Sequence, residues 1–286
     1  MRGSGTATSR LWWPAEGEGG LDAREQAPGP DGALVVDSFL VEDGRVRALE
    51  AHHRRFRGSC AAFPGPRPGG PGPGPGLARS VDGFLAAAGR ALPVRGRWFP
   101  RLEAHPEAFV LWLRPAPATT DRVRLWTYPE PDPRRHPAVK GPDLPLLADL
   151  RSAASERGAD DAVLVAPDGA VVEAAHSALL WWRGDRLHHP DPALPALSSV
   201  TAVLVVEAAR AEGHPVVAER CPPPALAGAE VWAVNALHGI RPVSGWPGPE
   251  SPSDGTSGAL TGVDPHRLAR FRWLLDRHVA AVPAGY

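Results

Sequence analysis

The chain has 286 residues, 43% of them hydrophobic, and a formal net charge of −1. That is enough apolar sequence for two modest domains or one large one, and the near balance of acid and base argues against a nucleic-acid groove or a polybasic membrane surface. Two cysteines, Cys60 and Cys221, make no disulfide framework, no apolar run reaches the length of a membrane span, and Met1–Arg10 lacks a signal-peptide core. The expectation is a cytoplasmic protein with no membrane or nucleic-acid partner.

Residues 1–32 are rich in Gly, Glu, Ala and Pro and read as a mobile segment, with Leu11-Trp12-Trp13 as a short edge strand. Order is expected from Ala33 to Val41 as one strand, with a hairpin turn at Asp43-Gly44 and a return strand from Val46 to Leu49. A helix follows from Glu50 to Phe63, its buried stripe formed by Phe56, Cys60 and Phe63. His52, Arg55 and Ser59 lie beside that stripe. From Pro64 to Gly76 every residue except Arg67 is Pro or Gly, which excludes helix and central strand and reads as an inserted loop. Ser80 caps a helix to Leu92 in this reading, and strands at 98–103, 109–113 and 123–128 complete a small α+β domain over 33–128. The Pro-rich stretch 129–139 reads as an interdomain connection.

The large domain is expected over 140–286. Asp143 is suited to cap a helix ending at Gly158, and hairpins follow at 162–173 and 178–188. Val200–Ala211 reads as an apolar helix, followed by strands at 215–218, 230–235 and 240–243. Asp264 and Pro265 start a C-terminal helix carrying Leu268, Phe271, Leu275 and Val279.

Chemistry concentrates in a few places. His136–Asp143 holds one lysine, Lys140, in a composition where arginine supplies nearly all the positive charge. A lysine that loses its proton can condense with an aldehyde, which arginine cannot do. Glu173 ends a strand, Ser199-Val200-Thr201 opens a helix whose first N–H groups suit a phosphate, and Asn235-Ala236 ends another strand. Taken singly, each has an ordinary role. Lys140 is then a solvated loop lysine, Glu173 a strand-end acid, Ser199 and Thr201 helix caps, and Arg55 a surface arginine. No His-Glu-x-x-His motif or metal-spaced cluster occurs, and no Gly-x-Ser-x-Gly elbow.

Read together from Val35 to Trp246, these segments resemble a known family. The sequence Asp43-Gly44-Arg45-Val46, the pattern His52-x-x-Arg55-Phe56, Lys140, Val172-Glu173-Ala174, Leu197–Thr201 and Val234–Val243 stand in the order found in the class IV aminotransferases. The resemblance implies a fold-type IV α/β (α+β two-domain) enzyme with pyridoxal 5'-phosphate in the cleft between domains, acting on a small-molecule substrate as a homodimer. It makes Lys140 the lysine that condenses with the cofactor, Glu173 the partner of its ring nitrogen, and Arg55, Ser199, Val200, Thr201, Asn235 and Ala236 the phosphate contacts. The Val234–Val243 run is most similar to the aminodeoxychorismate lyase branch, with a branched-chain or D-amino-acid transaminase as the alternative.

Two departures bear on the substrate. Leu40 stands where an arginine is common, and the run Ala174-Ala175-His176-Ser177-Ala178 follows Glu173 where small hydroxyl residues and an asparagine are usual, with His176 at a position where Ser or Thr is usual. Ser38, Arg101 and His176 are the candidate substrate contacts. These departures leave open a family member that keeps the fold and serves as a binding protein.

Overall fold

The chemistry around Asp43-Gly44 ends one strand and starts the next: Asp43 and Gly44 take φ of 45° and 70°, as a tight hairpin turn requires. The computed structural model describes residues 9–14, 21–23, 32–62, 75–106, 108–246 and 262–283. The chain divides into two compact units, one of 1–118, 139–142 and 278–286 and one of 119–138 and 143–277. These boundaries differ from the division expected at 129–139: Lys140 belongs with the first unit, and 119–138 with the second.

The first unit contains β1 (Ser9–Pro14), β2 (Asp22–Ala23), β3 (Val35–Ser38), β4 (Val41–Glu42), β5 (Arg45–Arg47), α1 (Leu49–Ala62), α2 (Pro75–Arg90), β6 (Arg97–Trp98), β7 (Arg101–Ala104) and β8 (Ala108–Leu113). The strand expected over 33–41 breaks at Phe39-Leu40, because its halves join different sheets. β3 lies at the end of the order β2-β1-β8-β7-β3, whereas β4 pairs with β5 and β6. The Leu11 strand forms, but between β2 and β8 and not at an edge. Phe56 and Cys60 are buried on α1 as the spacing requires, while Phe63 and residues 64–74 of the Pro/Gly loop lie outside the described residues. α2 begins at Pro75, inside the 64–76 stretch expected to exclude helix, because proline at a first helical position lacks only an N–H that would be unpaired anyway. Ser80 is therefore inside the helix and is not its cap. Phe84 stacks on Phe109 at 4.9 Å in the core between α2 and β8.

The second unit contains β9 (Val123–Pro131), α3 (Leu144–Ser155), β10 (Asp161–Val165), β11 (Val171–Ala174), β12 (Ala178–Arg183), β13 (Arg186–Pro190), α4 (Val200–Ala211), β14 (Val216–Glu219), β15 (Glu230–Asn235), β16 (Gly239–Gly245) and α5 (Pro265–Asp276). Its eight-stranded sheet runs β11-β10-β9-β16-β15-β12-β13-β14. β9, expected to complete the small domain, instead pairs in parallel with β10 and β16. Asp143 precedes α3 without a side-chain cap. Its carboxylate accepts from Arg135 N (3.2 Å) and His136 N (2.7 Å), so it braces the preceding segment instead. Asp264 does cap α5, accepting from His266 N and Arg267 N. Phe271 packs against Trp182 and Trp232 at 5.2 and 5.5 Å, and truncating such a buried ring to alanine costs about 3–5 kcal/mol. Val279, expected on the last helix, lies on β17 (Val279–Ala281), which pairs with β5 of the first unit.

Candidate active site

Lys140 is held by its backbone. Its carbonyl accepts from Val36 N at 2.6 Å, which ties 139–142 to β3. Gly141 makes this approach possible: at φ 151°, a Cβ would stand 2.7 Å from the Leu34 carbonyl oxygen. Burial is the first cause that pulls the Lys140 amine down to about 8; Arg55 adds to it, Asp37 opposes it, and Arg114 and Arg101 add further. This side chain is not a solvated loop lysine. At that value roughly a tenth of the amine is neutral at pH 7, against about one part in three thousand for an unperturbed lysine.

Around Lys140, one acid serves several partners. Arg55 grips Asp37 with two bonds of 2.8 Å, from Nε to Oδ2 and from Nη2 to Oδ1, and His52 Nδ1 lies 2.8 Å from Oδ1. Burial alone would raise the Asp37 carboxyl, but Arg55 and His52 hold it far below the usual carboxylate range. Burial keeps His52 below its ordinary value against the pull of Asp37, so the ring is neutral at pH 7. Arg55 is thus oriented from within the unit, by a carboxylate that the sequence reading did not single out.

The two substrate candidates on strands are register partners: Ser38 lies opposite Arg101, and Arg101 opposite Trp112. Arg101, however, is paired with buried Glu103 at 2.6 Å, and Glu103 also meets His105 Nε2 at 3.0 Å. Arg114, two residues beyond Trp112, makes no ion pair among the described residues. Its Nε donates to the Phe99 carbonyl (2.9 Å), and its guanidinium lies 5.3 Å from both the Phe99 and Trp112 rings. Burial, with Arg101 nearby, lowers it to about 10. Its only signal in sequence was an arginine in phase with Trp112 at the end of a strand.

In the second unit Glu173 is the centre. Its Oε1 accepts from Arg134 Nη1 at 2.7 Å and from Leu197 N at 2.9 Å. Its Oε2 takes no hydrogen bond among the described residues, and the side chain lines a cavity of about 430 Å³ with Leu197 and Ser199. Burial raises the Glu173 carboxyl, and Arg134 opposes that rise. Arg134 was hidden in the proline-rich run read as a connection.

Ser199 caps α4, its Oγ accepting from Ala202 N at 3.3 Å, while Val203 N bonds the Ser199 carbonyl. Among the described residues this leaves the Val200 and Thr201 N–H groups unpaired, with the Thr201 side chain buried beside them. Asn235 binds its own turn: Oδ1 accepts from Leu237 N (3.1 Å) and His238 N (2.8 Å), and Nδ2 donates to the His176 carbonyl and Ser177 Oγ. Ala236 N is left without a partner among the described residues. His176 faces elsewhere. It lines a cavity of about 380 Å³ with Arg151, Ser152 and Asp160, its ring 3.8 Å from Asp161. Asp161 Oδ2 accepts from the His176 backbone N at 3.3 Å, and His176 does not line the cavity that Glu173 lines.

The model of one family, amino-transferase class IV, matches residues 34–246. The chain belongs to the class IV aminotransferase family. Among curated relatives, aminodeoxychorismate lyase from Vibrio harveyi is 33% identical over 102 residues, 35% of this chain and 38% of that protein. The bifunctional aminodeoxychorismate lyase / D-amino acid transaminase of Mycobacterium tuberculosis is 29% identical over 210 residues, 63% of this chain and 70% of that protein. The matched stretch thus spans well under half of the first relative and somewhat over two thirds of the second. A hypothetical aminotransferase from Mycobacterium tuberculosis, solved in a PLP-bound form, superposes with a TM-score of 0.68 at 20% identity, covering 94% of this chain and 98% of that one. The architecture is that of fold-type IV transaminase structures. A class IV aminotransferase is a pyridoxal-phosphate enzyme, and each unit holds groups of the kind that cofactor takes: an amine lowered to about 8 in the first, and in the second a carboxylate with one open oxygen and N–H groups at Val200, Thr201 and Ala236 that have no partner among the described residues. Among the described residues no helix is long and apolar enough to cross a membrane, and no cluster could hold a metal ion.

Proposed function

We propose that this chain uses pyridoxal phosphate to act on the amino group of a small carboxylated substrate, as an aminodeoxychorismate lyase-like enzyme that releases pyruvate and forms an aromatic amine. The observation that carries the chemistry is Lys140, the only lysine in the sequence, with its amine lowered to about 8. When bound, the cofactor supplies an electron sink for the carbanion formed at the substrate's α carbon. Neutral Lys140 would hold the cofactor's aldehyde end and move the α proton. Glu173 would hold its ring-nitrogen end. The N–H groups of Val200, Thr201 and Ala236 take phosphate oxygens, and Arg55, aligned by Asp37, adds its charge.

Arg114 receives the substrate carboxylate in this reading, in place of Arg101, whose charge Glu103 already answers. Ser38, opposite Arg101, remains a polar contact on the same row, and His176 has no assigned role. Leu40 and the Asn235-Ala236-Leu237 turn favour the lyase. The bifunctional relative keeps D-amino-acid transamination as the second reading. We further propose that the enzyme is a cytoplasmic homodimer.

Two measurements test this. Borohydride reduction in the presence of pyridoxal phosphate should place one adduct on the peptide containing Lys140; an unmodified Lys140 sinks the proposal. Pyruvate release without any 2-oxo acid acceptor then marks the lyase, whereas strict dependence on an acceptor marks the transaminase.

A further inference from the structure

The buried cluster behind Glu173 does not balance its charge. Arg134 is engaged mostly by Asp132: Nε donates to Oδ1 and Oδ2 at 3.0 and 3.1 Å, and Nη2 to Oδ2 at 2.7 Å. Only Nη1 is left for Glu173. The Arg134 backbone N–H also donates to Asp132 Oδ1 at 3.1 Å, which fixes the pair as one rigid unit. The three side chains are 5% (Arg134), 10% (Asp132) and 8% (Glu173) exposed, so water screens them little. Two carboxylates face one guanidinium, and one negative charge is left over. It is presented at Glu173 Oε2, because Oε1 is occupied by Arg134 and Leu197 N. The other charged side chains lining the cavity, Asp191, Glu207 and Arg210, reach solvent.

We infer that Asp132 is a positioning residue that makes Glu173 select a protonated ring nitrogen, by cancelling the Arg134 charge that would otherwise neutralise Glu173. With Arg134 and Glu173 alone the cluster would be a neutral pair, and a ring nitrogen at Oε2 would have little electrostatic reason to keep its proton. With Asp132 present, a protonated nitrogen brings the cluster to neutrality. Without such a ligand, burial favours a proton on Glu173 itself, the direction in which its carboxyl is shifted. The same charge balance makes Glu173 Oε2 reject a ligand with a carbon–hydrogen edge at that position. This inference rests on the pyridoxal-phosphate reading above.

The test compares the affinities of the apoprotein for pyridoxal phosphate and for its 1-deaza analogue, in which C–H replaces the ring nitrogen. The ratio of the two isolates what happens at Oε2, since phosphate and aldehyde are common to both. The wild type should prefer pyridoxal phosphate by at least about tenfold. Asp132→Asn, which keeps the shape but not the charge, should reduce that preference about tenfold, and Asp132→Glu should restore most of it. An unchanged ratio in Asp132→Asn overturns the inference, even if both affinities fall together as a loosened Arg134 alone would cause. Should Asp132→Asn not fold, the ¹⁵N shift of the ring nitrogen bound to the wild type decides: a protonated nitrogen at pH 7 supports the inference and an unprotonated one overturns it. A wild type that binds neither compound would instead sink the pyridoxal-phosphate reading, and this inference with it.

Discussion

The two buried charge clusters are opposites. Around Lys140, Asp37 answers Arg55, Glu103 answers Arg101, and Arg114 and the amine are left over as positive charge. Around Glu173, one arginine answers two acids and negative charge is left over. Burial is the larger cause of both shifts, and the local imbalance sets how far each is opposed. The amine is pushed to release its proton, and the acid to gain one. A well-paired cluster at either place would be more stable and chemically idle.

Breaking the first cluster should have the largest effect. Lys140→Met should lower turnover by at least about 10³-fold and abolish the reduced adduct; turnover within about tenfold of wild type without this amine would refute its role. The same substitution should stabilise the apoprotein. The folded amine is lowered from 10.5 to about 8, so between those values the unfolded chain binds more protons and stability rises with pH. At pH 7, below both, the full penalty of about 3 kcal/mol is present. Denaturant melts should therefore show Lys140→Met more stable at pH 7, with the gain shrinking above pH 8.

The surplus arginine gives the next largest effect. Arg114→Met should raise KM for a carboxylate substrate about 10- to 100-fold. Arg101→Met should change KM much less but destabilise the fold by about 3–5 kcal/mol, because it leaves Glu103 buried without its cation. The reverse pattern in steady-state kinetics and melts would exchange their roles.

The smallest effect sharpens the contrast. Glu173 is raised above 4.5, so in the apoprotein the folded state binds more protons than the unfolded one above that pH, and stability falls as pH rises. Glu173→Gln should flatten that decline. Wild-type and variant melts that run parallel from pH 5 to 7 would count against the negative surplus.

The clusters also show what a sequence can disclose. Lys140, Glu173 and the start of α4 stood out as candidates only through the order of segments that resembles the family, since a loop lysine, a strand-end acid and a capping serine are each ordinary taken singly. Arg134 and Asp132 did not, because their importance comes from a contact 39 residues away in sequence, inside a run whose prolines signal only irregular backbone. β9 was assigned to the wrong unit for a similar reason, since strand pattern says nothing about which sheet accepts the strand. Val279 continued a helical spacing, but pairing with β5 prevailed.

Gly141 carries a consequence of its own. Any side chain there would collide with the backbone at Leu34 and Val35, 2.7–3.0 Å away, and would pry the neighbouring amine loose from the strand that seats it. The Lys140 amine owes its location to a missing methyl group one residue along, so on the proposed function a substitution that touches no ligand and alters no charge silences the enzyme.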